Sequence, residues 1–155
     1  MMHDIAVASE DDVPALAQLI NAAYEVEKFF VSGDRTSADQ IRQMNRSGQF
    51  LVAHDDTGNI AGCVYVRVTG GRGYFGLLSV DPSRQRGGIG GGLIHAAESL
   101  ARAAGCTAMD IRVVNLRVEL PPFYRQLGYT ETGIEAANEP RALQAFHFLR
   151  MAKAL

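Results

Sequence analysis

Five of the six residues from Gly87 to Gly92 are glycine, and they stand where a strand ending at Val80 must turn into a helix. Gly90, Gly91 and Gly92 fall in the first turn of that helix, where each glycine costs about 1 kcal/mol relative to alanine. Local helix preference does not account for them, whereas close approach of something to the backbone does. A helix N-terminus offers unpaired N–H groups and the positive end of a dipole, so the visitor it suits is an anion. Arg84 and Arg86 add positive charge beside it. The competing reading is a glycine-rich helix start packed tightly on a sheet with no ligand. The spacing is not that of a P-loop, which needs a Lys and a Ser or Thr after its last glycine. Nor is it the dinucleotide fingerprint, since Leu93 stands where the third glycine belongs.

This segment also dictates what lies around it. Tyr74 to Val80 reads as the strand before the turn, Gly88 to Ala104 as the helix, and Met109 to Val114 as the strand after it. Leu93, Ala96, Ala97, Leu100 and Ala101 give the helix one apolar stripe, and Gly105 stops it. Such a unit crosses over right-handed, which makes its two strands parallel. Upstream, residues 3–8 alternate weakly as a short strand. Ser9 to Asp12 supplies capping side chains, Pro14 suits a first helical turn, and Leu16, Leu19, Ile20 and Ala23 follow at helical spacing. Residues 24–35 read as a loop or short helix, and 36–46 as a second helix capped by Thr36 or Ser37. The period then becomes alternating: Phe50–Ala53 and Ile60–Val68 flank the turn Asp56-Thr57-Gly58-Asn59, and Gly70-Gly71-Arg72-Gly73 leads into 74–80. Residues 123–127 form a short helix closed by Gly128, followed by strands 129–135 and 146–152. The expected order is β-α-α-β-β-β-α-β-α-β-β over one domain, residues 1–155. That is an α/β (α+β) fold, a mixed sheet with helices on its faces.

Composition narrows the function classes. Fifteen Lys and Arg against 17 Asp and Glu give a net charge of -2, without the clustered basic excess of a nucleic-acid-binding surface. Cys63 and Cys106 are far apart and form no CxxC pair, so neither a disulfide framework nor a zinc site is expected and a reducing cytoplasm is the natural setting. The acidic start MMHDIAVASEDD has no apolar core of a signal peptide, and no apolar run in the chain approaches the ~18 residues of a membrane span.

The residues flanking the glycines select the anion. Val80-Asp81-Pro82 closes the strand, and Gln85-Arg86-Gly87-Gly88-Ile89-Gly90 opens the helix. Asn115 ends the next strand, and Phe123-Tyr124-Arg125-Gln126-Leu127-Gly128-Tyr129 follows. Both motifs, in this order and joined by these elements, resemble the GNAT family of N-acetyltransferases, and the element order matches that family over essentially the whole chain. The resemblance implies a mostly antiparallel sheet with one splayed parallel strand pair, and acetyl-CoA as co-substrate with no metal. It implies that backbone amides of Arg86, Gly87, Gly88, Ile89, Gly90 and Gly91, with Gln85 alongside, cradle the coenzyme A pyrophosphate. Leu78, Ser79 and Val80 would pair with the pantetheine arm as with an added strand. Asn115 would touch that arm from the other strand, although a strand-end turn residue is its plainer role. Tyr124 would protonate the departing thiolate as general acid, and a backbone N–H near Leu78 or Val80 would hold the oxyanion.

The chain departs from the commoner family pattern at the general base, because the strand YFGLLSV carries no acid. Glu25, Glu27, Glu119 or ordered water are the alternatives, with Glu25 and Glu27 also readable as a solvated helix end and Glu119 as a charge at a helix N-terminus. His95 reads as a surface or core-edge residue, and His147 as structural or facing the acceptor. The acceptor pocket is expected between 24–35, 115–122 and the final hairpin, with Tyr24, Glu25, Glu27, Phe29 and Phe30 suited to a cationic, partly apolar amine. A small-molecule primary amine is the first reading of the acceptor. A protein N-terminus or lysine, and a non-catalytic acyl-CoA-binding module, are the alternatives. The last strand, 146–152, is expected to be exposed and available for pairing across a homodimer.

Overall fold

The computed structural model describes residues 4–85 and 87–155. The strands are β1 (Asp4–Val7), β2 (Gln49–His54), β3 (Ile60–Thr69), β4 (Arg72–Val80), β5 (Ala108–Val114), β6 (Thr130–Ala136) and β7 (His147–Ala154). The α-helices are α1 (Val13–Ala23), α2 (Ala38–Met44), α3 (Ile89–Ala103) and α4 (Leu120–Gln126). One seven-stranded sheet runs in the order β1-β2-β3-β4-β5-β7-β6. Its neighbours are antiparallel except β4 and β5, which are parallel.

Helices cover both faces. Val13, Leu16, Leu19 and Ile20 of α1 and Ile41 of α2 bury against Phe50, Val52, Cys63 and Tyr65. Across the sheet, Ile89, Leu93, Ile94, Ala97 and Ala101 of α3 bury against Leu51, Ala53, Val64, Val66 and Met109. Alternate residues of β2 and β3 thus feed opposite cores, as strand pleating requires. The start of α3 sits close to β3 because Gly62 has no side chain: a Cβ there would lie 2.7 Å from Cγ2 of Ile89. Between Thr36 and Ser37, Ser37 is the cap, its hydroxyl accepting from the Gln40 N–H at 3.2 Å. Among the described residues no helix is long and apolar enough to cross a membrane.

Two expectations need correction. The short helix starts at Leu120, not Phe123, because Pro121 and Pro122 occupy its first turn, where a missing N–H costs nothing. The last strand is not an edge: β7 is paired with β5 on one side and β6 on the other. It has no free ladder to offer a second copy, so its reading as a dimer strand fails. The edge on this side of the sheet is β6, where exposed Glu131 and half-buried Glu135 discourage further pairing.

Candidate active site

β4 and β5 pair only at Arg72–Ala108, Gly73–Met109 and Tyr74–Asp110; beyond Tyr74 they part. The cause lies in β4. Cys63 faces Ser79 while Tyr65 faces Gly76, so β4 carries one extra residue, a bulge. Leu77 sits at φ 51, a left-handed conformation rare for a leucine. The bulge turns the strand over. Phe75 belongs to the α3 core, yet Leu77, two residues on, belongs to the α1 core. Leu78 pairs with no residue of β3 or β5, and it faces the gap.

That gap is a cleft of about 970 Å³. Leu78, Val80, Gln85, Gly88, Gly90 and Gly91 line it at one end. Gly88 caps α3 at φ 77, which its lack of a Cβ permits. The first intrahelical bond shown runs from the Gly92 N–H to the Gly88 carbonyl at 3.1 Å, so the amides of Ile89, Gly90 and Gly91 precede the ladder. The tight-packing reading of the glycines fails here. A Cβ on Gly91 would meet nothing within 4 Å, and one on Gly90 only Cγ2 of Val80 at 3.7 Å. The space in front of the helix end is cleft, not protein, and a diphosphate fits such a cradle. Ile89 is buried in the core by its side chain, leaving its backbone to the cradle. Arg84 is not free to assist, since it pairs with Asp55 at 3.1 Å. Arg86 lies outside the described residues.

Tyr124 lines the middle of the cleft. Its ring is fixed among Phe75, Phe123 and Tyr129, with centroids 6.1, 5.1 and 6.0 Å away. Tyr129 is fixed in turn, donating its hydroxyl to Glu98 at 2.7 Å, with Lys153 donating to the same carboxylate at 3.1 Å. No hydrogen bond engages the Tyr124 hydroxyl among the described residues, and no fully buried side-chain polar atom there lacks a partner; the hydroxyl therefore opens onto the cleft. Burial pushes the Tyr124 phenol up to about 12, with Arg117 pulling the other way.

At the far end, Arg117 joins two distant segments. It donates to Glu27 at 2.9 Å and to Glu119 at 3.2 Å. Glu27 is not the solvated helix end expected of it: its side chain is 11% exposed against 62% for Glu119. Burial raises the Glu27 carboxyl above its ordinary value against the pull of Arg117. Glu119, despite some burial, is held low by hydrogen bonds from its own backbone and from Arg117. Tyr24 also lines this end, and burial raises its phenol.

The loop 28–35 is stitched across the cleft to the β6–β7 connection. Val31 bridges Ala142, the Leu143 N–H donates to the Phe30 carbonyl at 2.7 Å, and the Ser32 N–H donates to the Arg141 carbonyl at 3.1 Å. Phe30 packs on Phe146 at 5.1 Å.

Several expected residues stand elsewhere. Glu25 pairs with Lys28 at 2.8 Å on the surface, and Phe29 is 55% exposed; neither lines the cleft, because the short helix at 24–27 turns Tyr24 and Glu27 inward instead. The Ser79 hydroxyl donates to the Leu77 carbonyl at 2.9 Å, bracing the bulge. Asn115 accepts the His147 N–H at 2.8 Å, the strand-end role that competed with a ligand contact. Sequence reading missed Arg35, Tyr74, Arg112 and Arg117, all on the cleft. Nothing in their spacing marks them, since partners such as Glu27 and Arg117 lie 90 positions apart.

Comparison with known proteins agrees with this geometry. A family model described as an acetyltransferase (GNAT) domain matches residues 46–131. An IAA acetyltransferase of Azospirillum brasilense is 30% identical over 154 residues, spanning 94% of this chain and 97% of that protein. A mycothiol acetyltransferase of Clavibacter michiganensis is 29% identical over 85 residues, which is 55% of this chain but only 28% of that protein. This chain thus spans little more than a quarter of the length of that relative. A ribosomal-protein-alanine N-acetyltransferase of Brucella melitensis superposes with a TM-score of 0.78 at 22% identity, covering 98% of this chain and 99% of that one, a shared fold.

Proposed function

The chain belongs to the GNAT acetyltransferase family, and from that premise we propose that it transfers the acetyl group of acetyl-CoA to the primary amine of a small molecule. One observation carries the reading. The splayed β4–β5 gap joins an open helix N-terminus at one end to an unpaired Tyr124 hydroxyl in the middle. The pyrophosphate would lie on the amides of Ile89, Gly90 and Gly91 and the pantetheine arm along Leu78 to Val80. The amine nitrogen attacks the thioester carbonyl carbon, and an N–H of the bulged β4 backbone stabilises the oxyanion. The C–S bond then breaks, Tyr124 gives its proton to the sulfur, and the nitrogen loses one proton to a base.

Of the two carboxylates on Arg117, Glu27 fits the base better than Glu119. A carboxyl raised by burial accepts a proton more readily near neutral pH than one held low. Glu119 then serves as the second partner that holds Arg117 in place. The stitched loop favours a small acceptor over a protein. An extended peptide would have to pass where Val31 meets Ala142 and Phe30 meets Leu143.

The test is release of free thiol from acetyl-CoA on adding a panel of primary amines. Amine-dependent release is expected; release no faster than hydrolysis for every amine removes the reading and leaves a binding module. Glu27→Gln refines it. The acid limb of kcat/KM in the wild type should lie above the ordinary glutamate range, since the base form is lost early as pH falls. Glu27→Gln should lower kcat/KM by about 10²-fold at pH 7 and move that limb up to the pKa of the amine itself. An unshifted limb would return the role to Glu119 or water.

A further inference from the structure

Among the described residues four arginines line the cleft: Arg35, Arg112, Arg117 and Arg141. Three are already neutralised. Arg112 pairs with Glu135 at 2.8 Å, Arg117 with Glu27 at 2.9 Å and Arg141 with Glu139 at 2.7 Å. Arg35 makes no hydrogen bond and no ion pair among the described residues. Its chain neighbour Asp34 does not pair with it. Glu27 and Glu139 lie within electrostatic reach, but their hydrogen bonds go to Arg117 and Arg141. Arg35 is nevertheless held in place, its guanidinium carbon 5.2 Å over the ring of Tyr24, a half-buried residue of the cleft wall. A stacked guanidinium is planar and oriented, and it presents five N–H donors. Such a fork matches a carboxylate with two parallel hydrogen bonds.

We infer that the acceptor carries a carboxylate beside its amine, and that Arg35 binds it; this rests on the acetyltransfer reading above. Arg112, Arg117 and Arg141 each spend donors on a carboxylate, whereas the Arg35 guanidinium keeps its donors for a ligand in the cleft. Phe30 and Phe146, in contact at 5.1 Å, and Phe148 beside Phe146 at 5.9 Å form an apolar wall of the same cleft. Carboxylate, amine and apolar wall together define an amino acid with an apolar or aromatic side chain, or a close analogue. An amine bearing a second positive charge in place of the carboxylate would face Arg35 unfavourably.

The experiment compares L-phenylalanine, L-leucine and L-methionine with their carboxamides in the thiol-release assay. The amide amines are less basic and so more fully unprotonated at neutral pH, which makes a preference for the acids a matter of recognition. At least one acid should exceed its carboxamide in kcat/KM by about 10- to 100-fold, the worth of a charge-assisted bidentate contact. Arg35→Met should abolish that preference while leaving the carboxamide rate and the melting-temperature rise with coenzyme A unchanged. Arg35→Lys should retain part of it. Carboxamides used as well as acids, or Arg35→Met lowering both acceptors equally, would overturn the role of Arg35 and leave acetyl transfer standing. No thiol release with any amine, while coenzyme A still raises the melting temperature, would remove both readings.

Discussion

Tyr124→Phe is expected to lower kcat by about 10³-fold while leaving the KM for acetyl-CoA within about twofold. The substitution removes one oxygen from a ring that Phe75, Phe123 and Tyr129 hold on three sides. The packing survives and only the proton donor is lost. A phenol pushed up to about 12 is fully protonated at neutral pH, so it enters every turnover as a donor. Its high value does not disable it, because the thiolate develops its charge beside the same hydroxyl and takes the proton as the C–S bond breaks. Steady-state kinetics with a melting curve as control decides it. Unchanged turnover would remove Tyr124 from proton transfer, and a fall in both kcat and melting temperature would make its role structural.

Gly90→Leu should separate ligand from fold in the opposite sense. Leaving glycine behind in a helix gains about 1 kcal/mol, and the new Cβ would touch only Cγ2 of Val80 at 3.7 Å. Melting temperature should hold or rise. The leucine side chain would then occupy the space before the helix end. Losing one or two charge-assisted hydrogen bonds, about 1.5–3 kcal/mol each, raises Kd for coenzyme A about 10²-fold. Calorimetric titration reads this. Unchanged affinity would mean that the pyrophosphate lies elsewhere, and a protein several degrees less stable would mean that the glycine serves packing after all.

The parts of the fold that were legible are those written in local spacing. The α3 stripe, the Ser9–Asp12 cap and the hairpin turn at 56–59 each depend on residues a few positions apart, and the strand-helix-strand rule then fixes the parallel pair. The glycines pointed to an anion because their helical cost is local. What escaped depends on pairing at a distance. No residue type announces the β4 bulge, since Leu77 takes φ 51 to satisfy the register with β3 on one side and the α1 core on the other. The last strand lies inside the sheet because β7 returns between β5 and β6, which its own sequence does not encode. Glu27 looked solvated because its partner is Arg117, far along the chain. Arg35 drew no notice because an arginine in a loop is ordinary until its neighbours are seen to be paired elsewhere.

The seat of coenzyme A in the β4–β5 gap, with its pyrophosphate on the α3 N-terminus, is tested by melting curves with coenzyme A and with pantetheine, which lacks the pyrophosphate. Coenzyme A at 100 times its Kd should stabilise by about 2.7 kcal/mol, a rise of about 5–10 °C for a chain of this size, while pantetheine at the same concentration should give little. No shift at millimolar coenzyme A, or equal shifts from the two ligands, would contradict the assignment.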